Sequence, residues 1–379
     1  MLSLKWFSKT NVFTGCCCII KGCSGSVPVS FQLNRISRGL HTGLCVQEET
    51  RRRTERKVCE SVLQHFNTQY TEELGELWLS SREVLLNPQC WQYGVLLNRF
   101  SDHVDIEADL KSSGYYSLLS PPDSPFSRSQ HLQCLVHKEA ARLPKQRHRD
   151  GWLKQYYLLN AASLLPVLAL AVRDGEKVLD LCSAPGGKAF AVLQTANPAL
   201  LHCNEVDKSR YMWLMKTLQS YVPRALGDTL SVTNEDGRDI GNQKPGMFDK
   251  VLVDAPCSND RSWLFSAGAQ QGELRLRERS KLPQLQKQLL CSALAAVRPG
   301  GLVVYSTCTF SRAENQAVME ALLSSSQGVE LVELEEELIG SLSAHFKFAR
   351  LQPPVGHLVV PEQGRTWGPM YVCGLRRRS

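Results

Sequence analysis

A glycine-rich turn between a short apolar strand and a helix constrains the fold of this chain more than any other stretch. The strand covers residues 178–181, and the helix continues through residues 190–193. The turn and the first helical residues are Cys182, Ser183, Ala184, Pro185, Gly186, Gly187 and Lys188. Open α/β sheets use such a turn to present backbone N–H groups and a helix N-terminus to a nucleotide-like ligand. A lone glycine turn, however, is more often a plain connection.

A carboxylate further along the chain favours the ligand-binding interpretation. Glu205 follows a second apolar stretch at residues 200–204, about where doubly wound folds place a carboxylate on ribose hydroxyls. The dinucleotide fingerprint requires a third glycine, and this stretch lacks it. The turn therefore fits a nucleoside without a pyrophosphate better than it fits NAD.

Strands and helices alternate after residue 150, which predicts an α/β fold with a mainly parallel sheet. An apolar helix is predicted at residues 156–166. Further strands are predicted at residues 201–204, 230–233, 249–254 and 302–306, further helices at 209–221 and 282–297, and a turn at 298–301. Ligands bind at the carboxyl ends of parallel strands, where Asp236, Asp254 and Cys308 fall.

Residues 50–150 predict a separate, mostly helical domain with a small irregular or β part. Its predicted elements are helices at residues 51–70, 74–86 and 90–100, and a loop at 120–125. The segment that leaves this domain is basic and contains Arg142, Lys145, Arg147, His148 and Arg149. A solvated loop is the usual explanation for such a run, but contact with phosphates is about equally favoured here.

Size, charge and cysteine placement narrow the class of protein. The 379 residues suffice for more than one domain, and a net charge of +7 permits a polyanionic partner without establishing one. Because no apolar run reaches the length of a membrane-spanning helix, we expect a soluble protein. Five of the 14 cysteines lie in the first 50 residues, and the others form no CxxC pair. This placement favours free thiols in a reducing compartment over a zinc site or a disulfide framework.

The first 47 residues have the composition of a mitochondrial transit peptide. They contain many serines and threonines and no Asp or Glu. Their basic residues are Lys5, Lys9, Lys21, Arg35 and Arg38. A disordered tail or an incorrectly assigned start is the alternative. We therefore expect a protein of the mitochondrial matrix.

Two cysteines at predicted strand ends suggest covalent catalysis. Cys257 lies three residues after the strand that ends at Asp254, and Cys308 lies two residues after the strand that ends at 306. A free cysteine is more often a small buried hydrophobe than a catalyst, but two at the ligand-binding edge weaken that interpretation. A thiolate that adds to C6 of cytosine makes C5 nucleophilic towards a sulfonium methyl group, and a second group can then assist product release.

Three motifs, in this order along the chain, resemble those of the Sun family (Fmu-like) of RNA cytosine-C5 methyltransferases. They are the glycine-rich turn, residues 254–258 and residues 305–309. The resemblance covers residues 55–375 and implies a Rossmann-like S-adenosylmethionine-dependent methyltransferase domain at residues 151–379, preceded by an RNA-binding domain at 50–150. The stretches at 90–100 and 257–265 are most similar to the mitochondrial members, which include one that modifies the wobble cytosine of mitochondrial methionine tRNA.

The resemblance also implies a role for each candidate residue. Cys308 is the nucleophile, and Cys257 assists release. Asp254 accepts a hydrogen bond from the flipped cytosine, while Lys188 positions the base or lowers the pKa of a thiol. The expected cofactor contacts are the glycine-rich turn for the methionine part, Glu205 for the ribose, Asp236 and Gly237 for the adenine, Asp254 between cofactor and base, and Arg210 as an outer contact. Within the turn, Cys182 is expected to be structural.

Small departures from the family pattern leave every reactive group in place. Ser183 stands where the family usually has alanine, and Ala189 where it often has threonine or serine. We expect a monomer that binds a mitochondrial tRNA and neither membrane nor metal, and residues 275–281 either line the RNA path or form a mobile loop. The alternatives are a mitochondrial ribosomal-RNA methyltransferase, a non-catalytic RNA-binding scaffold, and a DNA cytosine methyltransferase with Cys257 as nucleophile.

Overall fold

The computed structural model describes residues 57–119 and 132–378 of the chain. The expected transit peptide and the loop predicted at residues 120–125 lie outside these residues. No helix in the described part of the chain is long and apolar enough to cross a bilayer.

The N-terminal region begins with two helices and continues into a small antiparallel sheet. Its helices are α1 (Glu60–Leu74), α2 (Glu76–Leu86) and α3 (Val104–Ser112). Its strands are β1 (Gly94–Leu97), β2 (Tyr116–Ser117), β3 (Cys134–Val136) and β4 (Tyr156–Leu159), in the order β2-β3-β1-β4. The first two predicted helices are thus confirmed, but α1 begins at residue 60 and ends at residue 74 instead of covering 51–70, and α2 begins two residues later than predicted.

The helices predicted at residues 90–100 and 156–166 are wrong, because both segments contain strands that pair with each other. Strands β1 and β4 run antiparallel, with Val95 opposite Leu158. Along β1 the side chains alternate between two separate apolar clusters. A short continuous apolar run does not reveal whether its period is that of a helix or of a strand, so the pairing is visible only in the fold.

A sheet of nine strands forms the second half of the described fold. Its parallel strands are β5 (Lys177–Asp180), β6 (Leu200–Asn204), β7 (Leu230–Thr233), β8 (Phe248–Asp254) and β9 (Val297–Thr307), in the order β7-β6-β5-β8-β9. Antiparallel strands β10 (Val329–Val332), β11 (Lys347–Ala349), β12 (His357–Val360) and β13 (Met370–Arg377) extend the β9 edge. The Rossmann-like α/β fold is confirmed, with a mixed sheet.

Helices cover both faces of the large sheet. They are α4 (Leu165–Leu170), α5 (Gly187–Thr195), α6 (Lys208–Tyr221), α7 (Ile240–Gln243), α8 (Asp260–Trp263), α9 (Ala269–Arg279), α10 (Leu282–Ala296), α11 (Gln316–Ser325) and α12 (Glu336–Leu342). Val178 packs with Phe190 in one apolar cluster, whereas the next residue, Leu179, packs with Leu289 in another. Strands buried on both faces are continuous apolar runs in the sequence, which explains why β5 and β8 could be predicted.

The turn predicted at residues 298–301 is a bulge inside β9. Pairing with β8 shifts from Val297 opposite Phe248 to Leu302 opposite Lys250, so the intervening residues of β9 have no partner in that strand. The bulge lies at the start of β9. The carboxyl end of this strand remains in register with that of β8, and the two ends form the candidate site.

Candidate active site

The carboxyl ends of β8 and β9 bring two thiols together. Cys257 lies three residues beyond β8, and Cys308 lies directly after β9. Their Sγ atoms are 3.3 Å apart, and the backbone N–H of Cys308 donates to Sγ of Cys257 over 3.3 Å. The two cysteines that we expect to share a site are therefore in direct contact, although 51 positions separate them in the sequence.

The environment of Cys257 favours the protonated form of its thiol. The hydrogen bond to Cys308, together with burial, raises the pKa of the Cys257 thiol well above its usual range. A protonated thiol is a weak nucleophile, but its S–H group can stabilise a thiolate beside it. A protonated Cys257 suits the assisting role expected for it.

Lys188 and Asp254 form an ion pair near the thiols. Nζ of Lys188 lies 2.8 Å from Oδ2 of Asp254, and the hydroxyl of Ser306 donates to Oδ1 over 2.9 Å. Burial alone would lower the pKa of Lys188, but the negative charges of Asp254 and Cys308 raise it. Lys188 is therefore a fixed positive charge whose field reaches Cys308.

The glycine-rich turn connects β5 to the N-terminus of α5. Gly186 has a φ of +102°, which favours glycine, and a Cβ atom on Gly187 would lie 3.0 Å from the ring of Tyr157. Pro185 is exposed, whereas the other six residues of the turn are buried or half-buried. Burial raises the pKa of the Cys182 thiol well above its usual range, which suits the structural role expected for it.

Glu205 lies directly beyond β6, and its carboxylate is only partly satisfied. Oε1 accepts a hydrogen bond from the backbone N–H of Asp207 over 3.0 Å. Oε2 is buried and accepts no hydrogen bond from the described residues, although Nη1 of Arg210 approaches to 3.5 Å. Arg210 also donates from Nη2 to the carbonyl oxygen of Ala184 over 2.8 Å. These contacts connect the acidic residue to the glycine-rich turn.

Asp236 and Gly237 follow β7, one strand further from the thiols. The carboxylate of Asp236 forms an ion pair with Arg238 and is not joined to the glycine-rich turn. A Cβ atom on Gly237 would lie 2.9 Å from the side chain of Leu289 and 3.3 Å from that of Leu181. Gly237 therefore permits close packing beneath the turn, and its proposed contact with adenine stays a prediction.

Asp180 is a candidate residue that we did not identify from the sequence. It is the last residue of β5 and is almost completely buried. Ser183 Oγ donates to its Oδ2 over 2.8 Å, and its Oδ1 accepts no hydrogen bond within the described part of the chain. The sequence contains one weak sign of this residue. Asp180 is an acidic residue at the end of an apolar strand, and a buried acidic residue must have a partner in the fold.

The protonation of Asp180 predicts a pH dependence of stability. Burial raises its pKa to about 7, whereas the unfolded chain loses the same proton near pH 4. Between these values the folded state binds more protons, so the free energy of unfolding falls as pH rises towards 7 and then levels off. We expect Asp180→Asn to reduce this slope by up to about 1.4 kcal/mol per pH unit. Urea unfolding at several pH values measures it, and an unchanged slope, equal to that of the exposed control Asp105→Asn, would contradict the prediction.

The basic stretch at residues 275–281 lies mostly within α9, so the expectation of a mobile loop is wrong. Arg279 is buried, which also contradicts a place on the RNA path for this side chain. Its Nη2 donates to the hydroxyl of Tyr70 over 2.6 Å, and its Nε lies 3.3 Å from Oε1 of Glu314. Arg279 can be buried because its acidic partner, Glu314, is buried beside it, although the two residues are 35 positions apart in the sequence.

No group of three or more His, Cys, Asp and Glu side chains in residues 57–119 and 132–378 could hold a metal ion.

Comparison with known proteins identifies a family that the chain matches. Residues 167–362 match the model described as 16S rRNA methyltransferase RsmB/F. A Danio rerio protein named mitochondrial tRNA (cytosine(34)-C(5))-methyltransferase is 62% identical over 85% of this chain and 89% of its own length. The Mus musculus protein of the same name is 48% identical, covering 85% and 92%. A methyltransferase homologue from Pyrococcus horikoshii, 22% identical with a TM-score of 0.55 over 82% of this chain and 94% of its own, shares the fold.

Proposed function

The chain belongs to the RsmB/F family of RNA cytosine-C5 methyltransferases, and we propose that it methylates the wobble cytosine of mitochondrial methionine tRNA. The relatives described above carry cytosine 34 of tRNA and the mitochondrion in their names. The observation that carries the chemistry is the 3.3 Å contact between the thiols of Cys257 and Cys308. The methyl donor is S-adenosylmethionine.

The residues around the glycine-rich turn fit S-adenosylmethionine. Oε2 of Glu205 is a buried acceptor without a donor among the described residues, and a ribose hydroxyl can supply that donor. When bound, this cofactor supplies a methyl group on a positively charged sulfonium. We infer that residues 182–188 hold its methionine part, with Arg210 as an outer contact and Asp236 and Gly237 near the adenine.

Cys308 begins the proposed reaction by adding to the base. Its thiolate forms a bond to C6 of the flipped cytosine, and the electron pair of the C5–C6 double bond moves to make C5 nucleophilic. After C5 has gained the methyl group, solvent water takes the C5 proton. The electron pair of the C5–H bond re-forms the double bond, and the bond between C6 and Sγ breaks with its electron pair remaining on sulfur. The protonated Cys257, 3.3 Å away, stabilises the leaving Cys308 thiolate by hydrogen bonding.

Asp254 and Lys188 orient the base and stabilise charge in this scheme. Asp254 remains 29% exposed while its two oxygens are fixed by Lys188 and Ser306. A remaining lone pair can accept a hydrogen bond from the amino group of cytosine, as expected from the family resemblance. The ammonium of Lys188 holds Asp254 in place and electrostatically favours the thiolate form of Cys308.

An exposed basic and aromatic surface supports tRNA as the substrate. The hydroxyl of Ser220, at the end of α6, lies 3.2 Å from Nδ1 of His148 in the basic segment, and its carbonyl accepts from the backbone N–H of Lys154 over 2.9 Å. These bonds hold the basic segment against the helix. Trp213 lies two turns earlier on the same side of α6. Exposed side chains of this surface are Lys145, Arg147, Arg149, Trp152, Trp213 and Lys216. Cationic groups bind phosphates and aromatic rings stack on unpaired bases.

Trp213→Ala is expected to weaken tRNA binding by about 1–3 kcal/mol, the usual cost of losing a stacking partner, without changing the affinity for S-adenosylmethionine. Equilibrium binding of labelled tRNA measures the change. Leu274→Ala is the matched control, because Leu274 is also a large apolar side chain more than half exposed, on α9. Equal tRNA affinity in the two variants would exclude this surface.

Bisulfite sequencing of mitochondrial RNA from cells with and without the protein tests the target. We expect 5-methylcytosine at the wobble position of methionine tRNA to disappear without the protein and to return with the wild type but not with Cys308→Ala. Loss from ribosomal RNA instead would support the alternative suggested by the description of the family model. Return of the methyl group with Cys308→Ala would support a non-catalytic scaffold.

We further propose that the enzyme acts as a monomer in the mitochondrial matrix, directed there by residues 1–47. The acid-free, basic composition of these residues supports this location, as does the word mitochondrial in the names of its relatives. Import followed by protease protection in isolated mitochondria tests the location, and sedimentation equilibrium tests the oligomeric state. An unprotected full-length protein would contradict the matrix assignment.

A further inference from the structure

Two adjacent residues, Glu314 and Asn315, contact the chain on both sides of the two reactive cysteines. Glu314 is the last residue of a single 3-10 turn (Arg312–Glu314), and Asn315 connects that turn to α11. Their side chains are 1% and 2% exposed. Neither touches a thiol in the described hydrogen-bond network, but both contact residues that flank the cysteines. The negative charge of Glu314 also contributes to the raised pKa of the Cys257 thiol.

Glu314 fixes the chain around Cys257. Its Oε2 accepts from the backbone N–H of Ser258 over 3.0 Å, and its Oε1 accepts from the Ser258 hydroxyl over 2.5 Å. Nε2 of Gln286 donates to Oε2 of Glu314 over 3.1 Å and to the carbonyl oxygen of Pro256 over 2.9 Å. Because Pro256 and Ser258 flank the cysteine, the carboxylate and its amide partner hold the chain on both sides of it.

Asn315 fixes the chain around Cys308 in the same way. The hydroxyl of Thr307 donates to Oδ1 of Asn315 over 2.5 Å, and Nδ2 of Asn315 donates to the carbonyl oxygen of Thr309 over 2.9 Å. Thr307 and Thr309 are the two neighbours of the cysteine. One amide side chain therefore spans the turn that presents Cys308.

The two cysteine loops are also bonded to each other. The hydroxyls of Ser258 and Thr309 are 2.9 Å apart. Asp260, three residues after Cys257, accepts from the Thr309 hydroxyl over 3.0 Å and from the backbone N–H of Phe310 over 2.8 Å. Each cysteine loop thus binds a buried carboxylate from the other. Asp260, which follows Cys257, binds the Cys308 loop, and Glu314, which follows Cys308, binds the Cys257 loop. A buried network that connects both loops in this way favours one geometry.

We propose that Glu314 and Asn315 are positioning residues and that each serves a different step of the reaction. Asn315 aligns Cys308 for addition to C6, and Glu314 holds Cys257 against Cys308 for release of the product. The inference rests on the covalent mechanism proposed above. A reacting group displaced by about 1 Å can slow a step by about 100-fold, so loss of either contact is expected to slow its own step.

The amount of covalent RNA adduct separates the two roles. Glu314→Gln keeps one acceptor oxygen and replaces the other by an NH2 group, so the side chain can no longer accept from both the backbone N–H and the hydroxyl of Ser258. We expect turnover to fall about 10- to 100-fold while adduct accumulates. Asn315→Ala, combined with Cys257→Ala to trap the adduct, is expected to form that adduct about 10- to 100-fold more slowly than Cys257→Ala alone. General destabilisation would change the amount of adduct in the same direction in both variants, whereas positioning predicts more adduct with Glu314→Gln and slower adduct formation with Asn315→Ala.

Glu320→Gln is the matched control, because Glu320 is a half-buried carboxylate on α11 that pairs only with Arg312 at the surface. Thermal unfolding and S-adenosylmethionine affinity are measured for every variant. Wild-type adduct levels in Glu314→Gln, or unchanged adduct formation with Asn315→Ala, would overturn the proposal. If Glu314→Gln does not fold, Ser258→Ala removes one of its contacts, and the same accumulation is expected there. Absence of adduct in Cys257→Ala itself would instead contradict the covalent mechanism.

Discussion

The Cys308→Ala variant is expected to abolish methyl transfer, with a loss of at least about 10⁴-fold, the scale seen when an enzyme loses its nucleophile. Without this thiolate no bond to C6 forms, and C5 stays too electron-poor to attack a methyl group. The Cys257→Ala variant is expected to add to RNA and methylate it, but to release it slowly. It lacks the S–H group that lies 3.3 Å from the leaving thiolate.

Denaturing gels of labelled tRNA incubated with each variant and S-adenosylmethionine measure the adduct. A slowly migrating band is expected for Cys257→Ala and not for Cys308→Ala. Cys291→Ala controls for removal of a thiol as such, because Cys291 is an exposed free cysteine on α10, and it is expected to behave like the wild type. An adduct with Cys308→Ala and none with Cys257→Ala would exchange the roles of the two cysteines, as in the DNA-type alternative.

The parallel part of the fold could be predicted because its signals are local. Strands β5 and β8 are continuous apolar runs bounded by a glycine turn and by polar residues, and the helices between them have apolar residues at helical spacing. The same local signal failed for β1 and β4. Their pairing, Val95 opposite Leu158, joins segments about 60 residues apart, and no pattern within either segment reveals it.

The candidate site shows the same difference between local and long-range signals. The thiols, the turn and Glu205 occur in motifs, so resemblance and strand ends identify them. Asp260 and Glu314 do not stand out, because each is bonded to the loop of the other cysteine, and that exchange exists only in the fold. The buried position of Arg279 could not be predicted for the same reason. Basic neighbours in the sequence suggested an RNA surface, whereas its partner Glu314 lies 35 positions away.

The Asp254→Asn variant is expected to lose about 10²- to 10³-fold in kcat, the usual effect of removing one preorganised polar contact from an active site. The substitution weakens the acceptor for the cytosine amino group and removes the counter-charge of Lys188. It also changes the pH profile. Asp254 and Cys308 raise the pKa of Lys188 against a burial effect that lowers it, so without the carboxylate burial prevails and the pKa falls. Residual activity should therefore decline at a lower alkaline pH than in the wild type.

Single-turnover rates between pH 6 and pH 10 measure both effects. Asp249→Asn is the matched control on the same strand, because Asp249 forms an ion pair with the half-exposed Arg298 at the opposite end of β8, over 2.6 Å. Pairs of this kind contribute about 0–1 kcal/mol to stability, so this variant should keep its rate and its pH profile. If Asp254→Asn lowers the rate but does not shift the alkaline side of the pH profile, Asp254 acts only by binding the base. Equal rates and equal pH profiles in the two variants would exclude Asp254 from the reaction.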